Sequence, residues 1–173
     1  HVEFADLLRF VWTTTMPMIA RINGHCLAGG MGLFAMCDMA VAAEHASFGL
    51  PEVKIGLFPA QVLAVLQHLA GPRHIAEMCI TGEPISAARA AEIGLVNHVA
   101  PAGELDAKTD WLVQRVVGKS PTAVRRGKAM MRAAFDMSFE QSISYLETQI
   151  MTLALTEDAK EGLTSFIEKR QPV

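Results

Sequence analysis

The sequence predicts an α/β fold in which strand–helix units come first and a purely helical region follows. Two observations support this prediction. Short apolar segments alternate with helical patterns over roughly the first hundred residues. Beyond them, the patterned segments have the three-to-four-residue spacing of amphipathic helices. This order is typical of an α/β domain with a helical extension.

Proline and glycine delimit the first elements. Residues 4–12 have a helical pattern, which ends at the threonines before Pro17. Residues 18–23 form an apolar segment that predicts a buried strand. Residues 24–30 are rich in glycine and predict a turn region, and residues 31–36 predict the start of a second helix.

The middle of the chain combines a strand, a loop and two helices. Residues 39–43 predict a short strand, and residues 48–59, which glycine and proline interrupt, predict a loop region. An apolar stripe over residues 62–69 predicts a helix. Ser86 precedes a further helical run that Gly94 ends, which is the usual pattern of a capped helix.

One more strand and then only helices are predicted for the rest. Residues 95–99 predict the last strand, and residues 105–117 predict a helix. Ser120 followed by proline marks the start of the next helix. The S-x-x-Q pattern that begins at Ser138 predicts a capping box, and a final helix is expected over residues 157–170.

Composition and charge exclude several classes of protein. The chain is 51% hydrophobic and 19% charged, which predicts a folded domain rather than a disordered chain. A net charge of −3 with scattered basic residues predicts no nucleic-acid partner. Three cysteines among apolar neighbours favour reduced, buried thiols, a cytoplasmic location and no metal site. The uncharged run 26–37 is too short and glycine-rich to span a membrane.

The segment A-G-G-M-G at residues 28–32 allows three interpretations. Unpaired N–H groups at a helix start could form an oxyanion hole for a thioester, because glycine lets the carbonyl approach. The pattern G-x-G-x-x-A at residues 30–35, with Glu52 downstream, fits a dinucleotide loop, although this acid follows a proline in a loop. The glycines could also serve only tight helix–strand packing.

Several linked motifs resemble those of the crotonase (enoyl-CoA hydratase/isomerase) family. The stretch MPMIARINGHCLAGGMGLFAMCDMAVAAEHASFGLPEVKIGLFP is similar to the family pattern K-P-x-I-A-x-x-N-G-x-x-x-G-G-G-x-E-L-x-x-x-C-D followed by P-E-x-x-x-G-x-x-P. The segments TGEPISAARAAEIGLVNHV and FIEKR also resemble family segments. The resemblance runs from about Phe10 to the C-terminus.

The resemblance implies a fold, an activity and an assembly. The fold is a spiral of ββα units, expected here over residues 1–103, followed by a helical trimerisation region over residues 104–173. The family's upstream oxyanion segment has no counterpart, so the sequence is expected to be N-terminally truncated. The implied substrate is an acyl-CoA thioester of the kind found in fatty acid metabolism. The implied assembly is a homotrimer or a dimer of trimers.

The family's catalytic positions map onto two residues. Gly29 corresponds to the glycine that supplies one oxyanion donor, and Glu52 corresponds to the second of two family glutamates. The position of the first glutamate is Gly32, which has no side chain. With one acid, the simplest reaction is a proton shuttle that isomerises a Δ3-enoyl-CoA to a Δ2-enoyl-CoA. Introducing glutamate at position 32 is expected to favour hydration.

The resemblance also implies the residues that contact the substrate, which are His25, Leu27, Gly30, Pro51 and Lys169. The residues themselves also allow His25 to be a partly exposed spectator and Lys169 to be a solvated cation at a helix end. No cofactor is expected, because coenzyme A is part of the substrate. Asp38 is expected to be a structural cap rather than an acid at the site.

The residues leave alternatives open. A hydratase with unusual water activation and a non-catalytic acyl-CoA-binding scaffold both remain possible interpretations of the missing acid. Glu52 could also be a loop carboxylate that pairs with Lys54.

Overall fold

The computed structural model describes residues 3–172. The predicted regions 1–103 and 104–173 also include residues 1, 2 and 173, which lie outside the described residues. The chain folds into two compact units. The first contains residues up to 114 except 15–17, and the second contains residues 15–17 and those from 115 onward. The predicted division between residues 103 and 104 stays a prediction.

Strands and helices are interspersed over residues 4–117. In chain order they are α1 Phe4–Thr13, β1 Ile19–Ile22, β2 His25–Leu27, α2 Gly29–Ala35, β3 Met39–Ala43, β4 Ser47–Gly49, a 3₁₀ helix Pro51–Ile55, α3 Ala60–Leu66, α4 Pro72–Thr81, β5 Ile85–Ser86, α5 Ala87–Glu92, β6 His98–Ala100 and α6 Leu105–Val117.

The strands form two small sheets. One has the order β1-β3-β6 and is parallel, with Ile19 opposite Met39 and Val41 opposite His98. In the other, β4 lies between β2, with which it is parallel, and β5, with which it is antiparallel. The carboxyl ends of parallel strands meet at the same edge of a sheet, so the segments that leave β2 and β4 start close together.

The core of the first unit lies around the second sheet and α2. Met31, Phe48 and Leu50 are fully buried, and the rings of Phe34 and Phe48 meet edge to face with centroids 5.5 Å apart. Burial of side chains of this size stabilises a fold by about 1.5–3 kcal/mol each. This packing fixes the start of α2 relative to β4.

Three predictions for this region are wrong. Residues 25–27 of the expected turn region form β2. The expected loop at residues 48–59 contains the 3₁₀ helix Pro51–Ile55 and the last two residues of β4. Strands of three residues carry too little periodicity to be predicted, because pairing with distant residues creates them. The last strand begins at His98 rather than Leu95, and Leu95 instead donates its N–H to the Ala90 carbonyl.

The described part of the second unit contains the end of α6 and continues with α7 Pro121–Ala134, α8 Phe139–Ala154 and α9 Glu157–Glu168. The predicted caps are confirmed: the Ser120 hydroxyl accepts the Ala123 N–H, and Ser138 and Gln141 form a reciprocal capping box. The buried Lys128 donates to the Met16 carbonyl at 2.7 Å. Within residues 3–172, no helix combines the length and apolarity that a bilayer crossing needs.

Candidate active site

Two chain segments that carry predicted site residues start from the same edge of the second sheet. Leu27 at the end of β2 lies opposite Gly49 at the end of β4. Beyond this pair, the Ala28 N–H donates to the Gly49 carbonyl at 3.0 Å. The chain then enters α2 at Gly29 and the 3₁₀ helix at Pro51. Strand register therefore brings Gly29 and the segment of Glu52 to one edge of the sheet.

The backbone at the start of α2 offers hydrogen-bond donors. Gly29 is the first residue of the helix, so its N–H has no intrahelical acceptor. Among the described residues, neither the Gly29 nor the Gly30 N–H donates to a protein acceptor. A Cβ on Gly30 would have no atom within 4 Å, and one on Gly29 would make only ordinary contact with the Phe4 ring. A ligand oxygen can therefore approach this backbone.

Ala28, which precedes these donors, has an unusual backbone conformation, with φ 49° and ψ −123°. This is the region of the first central position of a type II′ turn, where glycine dominates because a Cβ is crowded. Such strain costs on the order of 1–3 kcal/mol and is held by the surrounding structure. Here the Gly49 carbonyl on one side and α2 on the other fix the conformation.

We expect Ala28→Gly to raise the free energy of unfolding by about 1 kcal/mol, because relief of the strain exceeds the added entropy of the unfolded chain. Denaturant unfolding of the two proteins measures this difference. Ala64→Gly, in the exposed face of α3, is the matched control and should lower stability by about 1 kcal/mol. A loss of stability on Ala28→Gly would contradict the strain at this position.

Glu52 is the second residue of the 3₁₀ helix, where Pro51 occupies the first position. Its Oε2 atom is buried and has no hydrogen-bond partner among residues 3–172. A buried polar atom without a partner is rare, and it points to a ligand or a catalytic function. Lys54 pairs with Glu83 instead, with Nζ and Oε1 2.8 Å apart, so the predicted alternative of a Glu52–Lys54 pair is wrong.

Buried thiols lie near this carboxylate and in the core. Burial raises the pKa of Cys79, and the charge of Glu52 adds to the effect. Burial likewise raises the pKa of Cys26 to about 11. Cys37 is only half-buried, which corrects the expectation that all three cysteines are buried. Protonated thiols are poor nucleophiles, so this environment does not favour Cys26 or Cys79 as a nucleophile.

The Phe4 ring occupies the space where a side chain at position 32 would lie. An ideal Cβ on Gly32 would be 2.9 Å from Phe4 Cζ and 3.3 Å from Val62 Cγ2. Gly32 is therefore a buried packing position in this structure. The contacts of Phe4 and Val62 with position 32 were not predicted from the sequence, because only packing shows that residues so distant in the chain meet there.

The predicted substrate-binding residues on β2 lie on one face of the strand. His25 and Leu27 are both exposed, while Cys26 between them is buried. His25 Nδ1 lies 2.6 Å from the Ser47 hydroxyl, its neighbour across the strands. An open cavity of about 360 Å³ is lined by residues of β1 and α2 and includes both His25 and Gly30. The His25 and Leu27 side chains are therefore both accessible from the same face of β2.

Two further predicted residues have structural surroundings of their own. Lys169 ends α9 in a left-handed conformation with φ 54° and is exposed in the second unit. The Asp38 carboxylate accepts the Met18 N–H at 2.7 Å, which joins the residue before β3 to the residue before β1. This contact agrees with the structural function expected for Asp38.

The described residues show neither a dinucleotide loop nor a metal cluster. The glycines of the G-x-G-x-x-A pattern lie inside α2, and Glu52 lies on a 3₁₀ helix rather than at a strand end. No group of three or more His, Cys, Asp or Glu side chains in this part of the chain could hold a metal ion.

Comparison with known proteins points to one family. A family profile described as enoyl-CoA hydratase/isomerase matches residues 1–173. Carnitinyl-CoA dehydratase of Salmonella heidelberg is 36% identical over 175 residues, covering 98% of this chain and 67% of that protein. Enoyl-CoA hydratase domain-containing protein 3 of Rattus norvegicus, a mitochondrial protein, is 36% identical over 174 residues, covering 98% of this chain and 56% of that protein. The chain thus spans between half and about two thirds of these relatives.

Solved structures with a similar fold also have enoyl-CoA hydratase in their names. An enoyl-CoA hydratase of Mycobacterium smegmatis superposes with a TM-score of 0.95 at 33% identity, over 98% of this chain and 66% of that one. Human enoyl coenzyme A hydratase domain-containing protein 3 superposes with a TM-score of 0.94 at 31% identity, over 98% and 67% of the two chains.

Proposed function

Because this chain belongs to the enoyl-CoA hydratase/isomerase family, we propose that it processes an acyl-CoA thioester, most simply as a Δ3-Δ2 enoyl-CoA isomerase. The observation that carries the proposal is the buried, unpartnered Glu52 Oε2 on a segment that leaves the same sheet edge as Gly29. A carboxylate held without a protein partner can exchange a proton with a bound substrate.

In the proposed reaction, the Gly29 N–H donates to the thioester oxygen. Glu52 takes a proton from C2, and the electron pair of that C–H bond forms an enolate whose charge the N–H stabilises. The double bond between C3 and C4 extends this system, so electrons reach C4. Glu52 then returns the proton at C4, which leaves a double bond between C2 and C3 and restores the carboxylate.

We propose isomerisation rather than hydration because Glu52 is the one carboxylate at the family's two catalytic positions. Hydration of a 2-enoyl thioester requires one group that activates water and one that delivers a proton to C2. Position 32 supplies no carboxylate, and the Phe4 ring fills the adjacent space. A shuttle between two carbons of one substrate needs Glu52 alone.

Hydration is the second candidate, because the relatives named above are called hydratases or a dehydratase. In this case, Glu52 would act with a water that the backbone positions. A non-catalytic acyl-CoA-binding scaffold is the remaining alternative, and it predicts binding without turnover.

A direct assay separates these functions. The full-length protein is incubated with a 3-enoyl-CoA and, separately, with a 2-enoyl-CoA in water, and the products are identified by mass and absorbance. We expect faster isomerisation than hydration. Faster hydration would favour the second candidate, and tight binding without any product would favour the scaffold.

We also propose that the chain forms a homotrimer or a dimer of trimers through its helical region, and that Lys169 contacts coenzyme A phosphates of a neighbouring subunit. Large apolar side chains on α8 and α9 support an interface, since Ile150, Leu163 and Phe166 are 59%, 61% and 83% exposed. His25, Leu27, Gly30 and Pro51 are proposed to line the substrate path.

Removal of one of these exposed side chains should weaken the assembly. We expect three or six subunits for the parent protein by analytical ultracentrifugation, and smaller species for Phe166→Ser, because a buried aromatic anchor would be lost. Lys160→Ser, on the same helix, is the matched control and should leave the mass unchanged. A monomeric parent protein would contradict the proposal.

A further inference from the structure

The 3₁₀ helix that carries Glu52 rests on the C-terminal end of α4. Helix α4 ends at Thr81. Gly82 caps α4 in a left-handed conformation with φ 67° and donates its N–H to the Met78 carbonyl. An ideal Cβ on Gly82 would lie 3.0 Å from Val53 Cγ2 and 3.2 Å from Lys54 Cε. These two residues directly follow Glu52 in the chain.

Two more contacts join the same segments. Lys54 forms an ion pair with Glu83, the residue after Gly82. Both side chains are largely exposed, at 47% and 69%, so solvent screens the pair and it adds little. Cys79, one turn before Gly82, is buried and lies within the electrostatic range of Glu52. The closest of these approaches is the one at Gly82.

We propose that Gly82 is a positioning residue for Glu52, because the absence of a side chain there lets the 3₁₀ helix sit against α4. This inference rests on the proposed function of Glu52 as the proton shuttle. Nothing at position 82 touches the substrate in this proposal. Its effect is transmitted through Val53 and Lys54.

The test is Gly82→Ala in the full-length protein. The new methyl would lie 3.0 Å from Val53 Cγ2, so this side chain must give by a few tenths of an ångström. In this proposal, part of that displacement reaches Glu52, the preceding residue. Because displacements near 1 Å can cost about a hundredfold in rate, we expect kcat for isomerisation to fall about tenfold. KM should change less than kcat, because Pro51 is the one residue proposed to line the substrate path that lies on the displaced segment.

Gly103→Ala is the matched control for backbone strain. Gly103 has a similar left-handed φ of 82°, but a Cβ there would meet no atom within 4 Å. Both variants should lower the denaturation midpoint, since alanine is strained in this conformation. Only Gly82→Ala should lower kcat.

A second-site variant separates position from stability. Val53→Ala removes the Cγ2 atom that the new methyl would meet, so Gly82→Ala with Val53→Ala should recover the kcat of Val53→Ala alone. The lowered denaturation midpoint should persist, because the strain at position 82 remains. Rescue of rate without rescue of stability is not expected of a merely structural residue.

The inference would be overturned by an unchanged kcat in Gly82→Ala, by an equal loss of kcat in Gly103→Ala, or by a double variant that stays slow. Crystal structures of the parent protein and Gly82→Ala provide a readout independent of turnover, because the distance between the Glu52 carboxylate and the Gly29 nitrogen should differ between them. A parent protein without turnover would contradict the proposed function, whereas an unmoved carboxylate would contradict the inference itself.

Discussion

Replacing Glu52 with glutamine is expected to lower kcat for Δ3-Δ2 isomerisation by about 10²–10⁴-fold, the range typical for loss of a general acid–base group. The amide keeps the size of the side chain but cannot take a proton from C2 or return one at C4. Steady-state kinetics with a 3-enoyl-CoA measures the fall in kcat.

The folded protein should tolerate this change. Glu52 Oε2 has no hydrogen-bond partner to lose among the described residues, so the denaturation midpoint should stay the same or rise. Glu92→Gln is the matched control, because Glu92 is exposed and forms only a surface ion pair with Arg89. It should keep full activity. Isomerisation by Glu52→Gln at close to the parent rate would remove Glu52 as the proton shuttle.

A glutamate at position 32 is expected to increase hydration only when the Phe4 ring is also removed to make space for the new side chain. The sequence alone predicts that Gly32→Glu favours hydration, but the structure places Phe4 Cζ 2.9 Å from the new Cβ. Gly32→Glu by itself should therefore destabilise the fold by about 1–3 kcal/mol through overpacking, and it should gain little hydratase activity. Denaturant unfolding and a hydration assay measure the two effects.

Phe4→Ala with Gly32→Glu should behave differently. Without the ring, a carboxylate can occupy the space beside α2 and supply the second acid–base group, so the ratio of hydration to isomerisation should rise at least about tenfold. Phe4→Ala alone is the control and should leave this ratio unchanged. An equal rise in Gly32→Glu alone would show that Phe4 does not block the position, and a parent protein that already hydrates faster than it isomerises would overturn the one-acid argument.

The sequence by itself determined the elements whose signals are local. Helix α6 begins and ends at the predicted residues, and the caps at Ser86 and Ser138 lie where the sequence predicts them. A cap joins residues three positions apart, so neighbouring letters suffice to predict it. The predicted crotonase-like α/β fold is confirmed by the family and structure matches, since linked motifs along one chain carried the resemblance.

Only the tertiary structure decided the parts that depend on distant contacts. The three-residue strand β2 exists because His25 and Leu27 find partners 22 positions away in β4, as the separation of His25 and Ser47 shows. Three further contacts are visible only in the tertiary structure. Phe4 fills the space at Gly32, and Lys54 pairs with Glu83. The 3₁₀ helix of Glu52 packs against Gly82. Side-chain packing depends on which residues are close in three dimensions. Residues that are far apart in the chain have no local sequence pattern from which such a contact can be predicted.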